Sequence, residues 1–445
     1  LGRALSFPLF EGRQKVGEQP ALQAYLKGNG ADDILQLSPL GIAEAVDPER
    51  SLVIRDPRVI EDPARTFNPC TGVGTPLGKW TFGHLMQQMA NRAATGIKPN
   101  KFVKEWLKQW QKNQVINGRV VPRRSQIKSL IIDPWQQASG GPGKPLDLAK
   151  APFRLLAIVN RVDLRDSSAS GSGNAGEARF VFGALGPGCL PLQFTVIFEY
   201  GIERADCQAL RAWARQWSDL GSLELGSPEY NAALEAITEQ FVPAGIAPGK
   251  QNGSALNQLR TNEIALNGPW ELREFRLSEA GKLRQVTVKN TPDLSLNQTA
   301  VLASFVNENE ADILAERHVV PDQFPPGNPF LAGSSLMPTN KVFWNNAAGG
   351  PLISSREARH KFSLQTCNGC HQGETETAFT HIQPTPFGTP AGLSSFMTGV
   401  SVVDPSDGSP IREFNELQRR AADLDRLVNS PCLLELFHKP LKMVH

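Results

Sequence analysis

The sequence predicts an α+β protein: a large mixed portion built on an antiparallel sheet, followed by a small helical region. Three observations carry that prediction. Residues 153–162, 178–184 and 192–202 are rich in Val, Ile and Phe, and the last alternates Phe194, Val196, Phe198 and Tyr200 against Thr195, Ile197 and Glu199, the pattern of a strand with one buried face. Residues 270–277 and 282–289 flank Gly281 as the two arms of a hairpin. Apolar residues three and four apart mark helices both ahead of these strands and at the end of the chain.

The elements follow in order. Residues 1–76 are loop-rich, punctuated by Asp56-Pro57, Asp62-Pro63 and Asn68-Pro69, with one short strand expected at 51–55. Two amphipathic helices are expected at 80–94, on Phe82, Leu85, Met86 and Met89, and at 101–114, on Phe102, Val103, Trp106, Leu107 and Trp110. Residues 136–144, with Gly140-Gly141-Pro142-Gly143, connect these to the strands, and the small-residue run 167–173 is a loop between two of them. Further helices are expected at 205–220, 230–241 and 299–316. The Pro/Gly/Asn-rich stretches 321–338 and 345–351 read as a linker, which divides the chain into a mixed domain of unknown role over 1–350 and a second domain over 351–445. In the second domain, Ser354-Ser355 cap a helix over 354–366, and Phe414, Leu417, Ala421, Leu424 and Val428 put one apolar face on a helix over 411–428.

Composition bounds the function. Hydrophobic residues make up 40% and charged residues 20%, ordinary globular values. The net charge of +2, from 46 basic and 44 acidic side chains, is far from the basic field of a nucleic-acid binder. No window is long and apolar enough to span a membrane, and residues 1–10 do not read as a signal peptide. Setting aside the close pair Cys367 and Cys370, four cysteines remain. Cys189 with Cys207 across the run 190–202, and Cys70 with Cys432, make one pairing; buried free thiols are the alternative. Disulfides would place the chain in the periplasm or outside the cell, as a secreted protein.

The segment Cys367-Asn368-Gly369-Cys370-His371 is a complete C-x-x-C-H pattern, the signature of covalent c-type haem attachment. Thiols one helical turn apart can each join a vinyl group of one porphyrin, and the adjacent histidine then ligates the iron. With a helix before the motif and another at the end, residues 352–432 resemble the small monohaem cytochromes c. The resemblance implies an all-helical haem domain, with haem c held by Cys367, Cys370 and His371 and a sixth ligand downstream. His381 and Met397 are the candidates for that position, and an open iron is the third possibility. Zinc, with His381 or His360 completing the ligand set, and a redox dithiol are the competing readings of the motif. The chain departs from the small cytochromes in carrying some 350 residues before the motif and a polar run at 373–377. It has no second attachment motif, so the relay of the dihaem peroxidases does not carry over.

Weaker constellations lie in the mixed portion. Glu177 with Arg179, Arg161 with Asp163, and Glu199 inside the most apolar strand are expected to be ion pairs tying strands together, or else a polar site facing the haem. Trp106, Trp110, Trp213 and Trp217 are expected to be helix-to-core packing. Asp404 and Asp407 read as a turn rather than a calcium loop. The resulting expectation is electron transfer through haem c, the larger domain docking a redox partner protein or a small-molecule substrate. A haem peroxidase or oxygenase, and a binding or surface protein with a structural metal site, are the alternatives.

Overall fold

Period-two alternation in the central strands builds an eight-stranded antiparallel sheet in the computed structural model, which describes residues 46–165, 174–204, 206–338, 344–345, 352–406 and 408–432. The strands are β1 (Val53–Ile54), β4 (Phe153–Arg161), β5 (Asn174–Leu185), β6 (Pro191–Glu203), β7 (Leu256–Glu263), β8 (Trp270–Leu277), β9 (Leu283–Val286) and β10 (Ser335–Met337). They run in the order β1-β4-β5-β6-β7-β8-β10, with β9 also paired to β8; β2 (Gln114–Ile116) and β3 (Arg119–Val121) form a separate hairpin. The mixed α+β class expected from sequence is the class observed. The loop expected at 167–173 lies outside the described residues.

Register decides what each face of the sheet holds. Phe182 pairs with Val196, Phe180 with Phe198, and Phe198 with Leu259, so one face is apolar. Helices α1 (Phe82–Ala90) and α2 (Pro99–Leu107) cover it: the Phe82 ring stacks on Phe153 at 4.1 Å between centroids and meets Phe198 edge-on, and Trp110 lies over Phe275 at 5.0 Å. Helices α3 (Cys207–Asp219) and α4 (Pro228–Thr238) extend the cover, with Trp213 against Phe241. Trp106, Trp110, Trp213 and Trp217 are fully buried, as expected. Each such ring contributes on the order of 1.5–3 kcal/mol through burial, so this layer holds much of the fold's stability.

The opposite face is charged. Arg179 lies opposite Glu199, which lies opposite Gln258; Arg260 lies opposite Glu274. These side chains are buried because the chain from α6 (Arg356–Leu364) to α7 (Glu416–Asn429) packs across them, and α5 (Ala300–Glu308) packs against α6. Between α6 and α7 run two short antiparallel pairs, β11 (Ile382–Gln383) with β12 (Gly392–Leu393), and β13 (Val400–Val403) with β14 (Ile411–Phe414). Leu364, Cys370, Phe396, Met397 and Leu424 belong to the same hydrophobic cluster as the sheet.

Several boundaries move for local reasons. The helix expected over 80–94 closes at Ala90 because Asn91 turns left-handed at φ 38°, a conformation Asn tolerates. The helix expected at 411–428 starts only at Glu416, capped by Asn415, because the β-branched and aromatic residues of 411–414 pair with β13. Strand β7 and the β2–β3 hairpin were not expected. The stretch 321–338 is packed rather than free: Phe330 and Ala332 are buried, and Ser335–Met337 pairs with β8. Cysteine pairing also differs, since the disulfides join Cys70 to Cys189 and Cys207 to Cys432, not Cys189 to Cys207 and Cys70 to Cys432. The first turn of α3 and the end of α7 bring Cys207 and Cys432 within 5.8 Å between Cα atoms, a proximity set by packing that local sequence does not reveal.

Candidate functional site

Sequence places Ser355 ahead of α6, and its hydroxyl accepts from the Ala358 amide at 3.1 Å, as an N-cap should. The helix delivers the motif to the sheet. At its end Thr366 becomes a hub: its hydroxyl accepts from the Trp344 indole at 2.8 Å and from the Gly369 amide at 3.1 Å, and donates to the Ser363 carbonyl. The Cys367 amide donates to the Thr291 hydroxyl at 2.9 Å, and the Asn368 amide group to the Leu336 carbonyl, which pins the motif beside β10. The chain then passes through a wide π-helical turn at Gly369–Gly373, a feature that recurs at functional sites. Gly369 is required there, because a Cβ would stand 2.0 Å from the Ser363 carbonyl oxygen.

All five residues singled out from the sequence are buried in this region. Cys367 packs with Trp270, Leu272, Val288, Met337 and Phe379. Cys370 places its sulfur 3.3 Å from His381 Nε2. The His371 ring stacks on Trp270 at 5.2 Å and sits 4.6 Å from the His381 ring, centroid to centroid. His381 Nδ1 lies 2.9 Å from the Ser394 hydroxyl, and the ring packs on Phe396. His371, His381 and Met397 line one cavity of about 60 Å³, closed on the sheet side by Arg161, Arg179, Glu199 and Arg260 and from α7 by Arg420.

Electrostatics follow from this burial. It pushes the Cys367 thiol up to about 12 even with Arg260 nearby, and raises the Cys370 thiol well above its ordinary value. Both sulfurs are therefore thiols at neutral pH, which opposes a nucleophilic or low-pKa redox dithiol. Burial also lowers His371 to about 3, against a hydrogen bond with the Phe379 backbone, and holds His381 well below its usual range. Neutral imidazoles are the form that ligates metals. Glu199, raised by burial, and Glu177, which Arg179 and Arg260 bring down to about 2 against burial, sit in one network with those arginines. Glu177 with Arg179 (2.6 Å) and Arg161 with Asp163 (2.9 Å) are ion pairs as expected, but each lies within one segment of chain; neighbouring strands are tied instead by Glu199 with Arg179 at 3.5 Å and with Arg260 at 3.4 Å.

The motif's sulfurs and imidazoles do not converge on one point. Among the described residues the group that does is His360, Glu374 and Asp404, whose ligand atoms lie within 4.8 Å of one another. The Arg359 guanidinium already bridges its carboxylates, at 2.5 Å from Glu374 and 3.0 Å from Asp404. Asp404 also accepts from the Ser406 amide, the expected turn; Asp407 lies outside the described residues. Three further side chains able to ligate a metal stand elsewhere: His318 in a separate cleft, His360 on Glu374, Met337 beside Cys367.

Sequence reasoning missed Trp270, Arg260 and Arg420. A signal existed for the arginines: Gln258, Arg260 and Asn262 alternate with Leu259 on β7, and Arg420 falls on the stripe of Leu417 and Leu424 in α7. No signal places Trp270 against His371. No protein-family model matches the chain, and comparison with curated proteins and with solved structures finds no match either.

Proposed function

We propose that the chain is an extracytoplasmic c-type haem protein that transfers electrons, with haem joined to Cys367 and Cys370, His371 as one iron ligand, and the sheet portion docking a redox partner protein or a small-molecule substrate. One observation carries the reading. Of six cysteines, four form two disulfides, and the two left as thiols are those of the C-x-x-C-H motif, beside a second buried histidine. Paired cysteines suit an oxidising compartment, and no helix of the described residues is long and apolar enough to cross a membrane.

The types of donor are those of haem c, two thiols in one turn, a neutral imidazole next to them, and His381 and Met397 on the same cavity, although they do not converge on one point. Space sets a condition. The His371 and His381 rings lie 4.6 Å apart, and the cavity of about 60 Å³ that they line is far below the roughly 300 Å³ at which small-molecule sites begin, so Cys367, Cys370 and His371 would hold haem only with this cavity widened. The run 373–377 that precedes His381 is itself packed: Glu374 and Thr375 are fully buried, Glu374 is held by Arg359 and His360, and the Thr375 hydroxyl meets that of Thr377 at 2.8 Å. Bound haem would supply one-electron chemistry at iron. The protein's own part is orientation and field: Trp270 and the Phe379 carbonyl fix the His371 ring, Ser394 holds His381, and the arginines of the cavity favour carboxylate groups.

Haem staining on a denaturing gel tests this in chain produced with a c-type maturation system. The wild type should stain, and Cys367→Ala with Cys370→Ala should not. A stain-free wild type refutes the proposal, and metal content then tests the structural-metal alternative. For a staining protein, a low-spin ferric spectrum that changes most in His381→Ala and less in Met397→Ala identifies the sixth ligand. A high-spin iron that turns over peroxide would replace the carrier reading with the peroxidase or oxygenase one.

A further inference from the structure

A second, larger cavity opens beside the charged face of the sheet. It measures about 1060 Å³, with Glu177 and Arg179 of β5 and Gln258 and Arg260 of β7 among its lining, Lys289 after β9, and His318 opposite. That is at the upper end of the volumes that hold small organic ligands. Its charge is lopsided: seven cationic side chains line it against four carboxylates. The floor arginines are matched by neighbours, Arg179 by Glu177 at 2.6 Å and Arg260 by Glu274 at 3.1 Å. Lys289, which is exposed, makes no ion pair among the described residues, whereas Arg204 donates to the Glu203 carbonyl at 2.8 Å and to Gln240 Oε1 at 3.1 Å and lies over Trp213.

His318 supplies an independent observation. It lines the same cleft, is only 5% exposed, and neither ring nitrogen makes a hydrogen bond. Buried polar side chains in native proteins nearly always have a partner, and a neutral imidazole offers one donor and one acceptor. Glu316, two residues earlier in the same wall, pairs one oxygen with Lys361 at 3.2 Å and leaves the other, buried, without a partner.

We propose that this cleft is a binding site for a small organic anion bearing carboxylate or phosphate groups, held by Lys289 and hydrogen-bonded by His318. A cationic surplus in a concave, partly enclosed site selects negative charge, and the unpartnered imidazole adds a directional contact that plain attraction lacks. Arg179 and Arg260 line both this cleft and the cavity beside His371, so a bound anion would sit one layer of side chains from the motif. The site does not depend on haem.

Isothermal titration of the full chain tests it, with citrate as the carboxylate probe, pyrophosphate as the phosphate probe and glucose as the neutral control. One of the two anions should bind with unit stoichiometry, and the stronger of them identifies the group recognised; glucose should not bind. Lys289→Glu should weaken that anion by at least about tenfold, Lys289→Arg should keep it, and Lys128→Glu, a change on an exposed residue paired with Asp133, should have no effect. His318→Phe, which removes no charge at neutral pH, should also weaken it. Failure of both anions to bind overturns the proposal, as does equal binding of glucose or binding untouched by Lys289→Glu. Binding that survives His318→Phe unchanged would refute a built site and leave only surface attraction. Calorimetry reads the anion whether or not haem is attached, so a negative haem stain and a negative titration refute different claims.

Discussion

Replacing Arg359 by Met should be among the most damaging single changes in the chain. Arg359 is 3% exposed, and its guanidinium donates to Glu374 at 2.5 Å and to Asp404 at 3.0 Å. His360 Nδ1 lies 2.7 Å from the same Glu374 carboxylate, which is fully buried, and Arg412 reaches Asp404 at 3.3 Å. Asp404 thus keeps one cation, whereas Glu374 keeps only a histidine. Removing one partner of a buried pair costs about 3–5 kcal/mol, a large part of a total stability of about 5–15 kcal/mol. Burial by itself raises the Glu374 carboxyl, but hydrogen bonds from His360 and Arg359 outweigh it and hold the group below its ordinary value. A carboxylate depressed in this way stabilises the fold above its unfolded pKa, and that contribution is lost as pH falls through the folded value. In Arg359→Met only the His360 bond still opposes burial, so the Glu374 carboxyl rises, and the penalty should be largest at neutral pH and shrink under mildly acid conditions, where Glu374 can take a proton. Adding Glu374→Gln to Arg359→Met should recover part of the loss. Urea unfolding followed by tryptophan fluorescence at both pH values measures all three quantities. A cost under about 1 kcal/mol, the worth of an exposed pair, or one independent of pH, would refute the reasoning.

Further outcomes follow from single contacts. Gly369→Ala should cost about 1–3 kcal/mol, because its Cβ would meet the Ser363 carbonyl, whereas Gly249→Ala, with open space around it, should be neutral or slightly stabilising; thermal unfolding of the pair checks this. Peptide mapping without reductant should recover Cys70 with Cys189 and Cys207 with Cys432, and Cys207→Ser with Cys432→Ser should lower stability by about 2–5 kcal/mol. Burial lowers His318 to about 4, so the unfolded chain binds a proton that the folded chain refuses between that value and the ordinary histidine range of about 6.5. Stability should therefore fall as pH drops through this window, by at most about 1.4 kcal/mol per unit from this group, and His318→Phe should flatten the slope; an unchanged slope would contradict it.

Local pattern alone determined a good deal here. Alternation along 192–202 marked both faces of β6, because successive side chains of a strand must point to opposite sides, and the apolar positions of α1, α2 and α7 marked their buried stripes. The C-x-x-C-H motif was legible because its chemistry lies within five consecutive residues. What remained hidden was whatever depends on distant chain segments. Trp270 reaches His371 only because β8 and the motif lie side by side. Cys207 and Cys432 are 225 residues apart and meet where α3 and α7 pack together. Likewise, Arg179 and Arg260 share two cavities because of strand register across β5, β6 and β7. Spacing along the chain sets which way a side chain points, but register and packing choose its neighbours, and those neighbours decide charge, burial and the shape of a site.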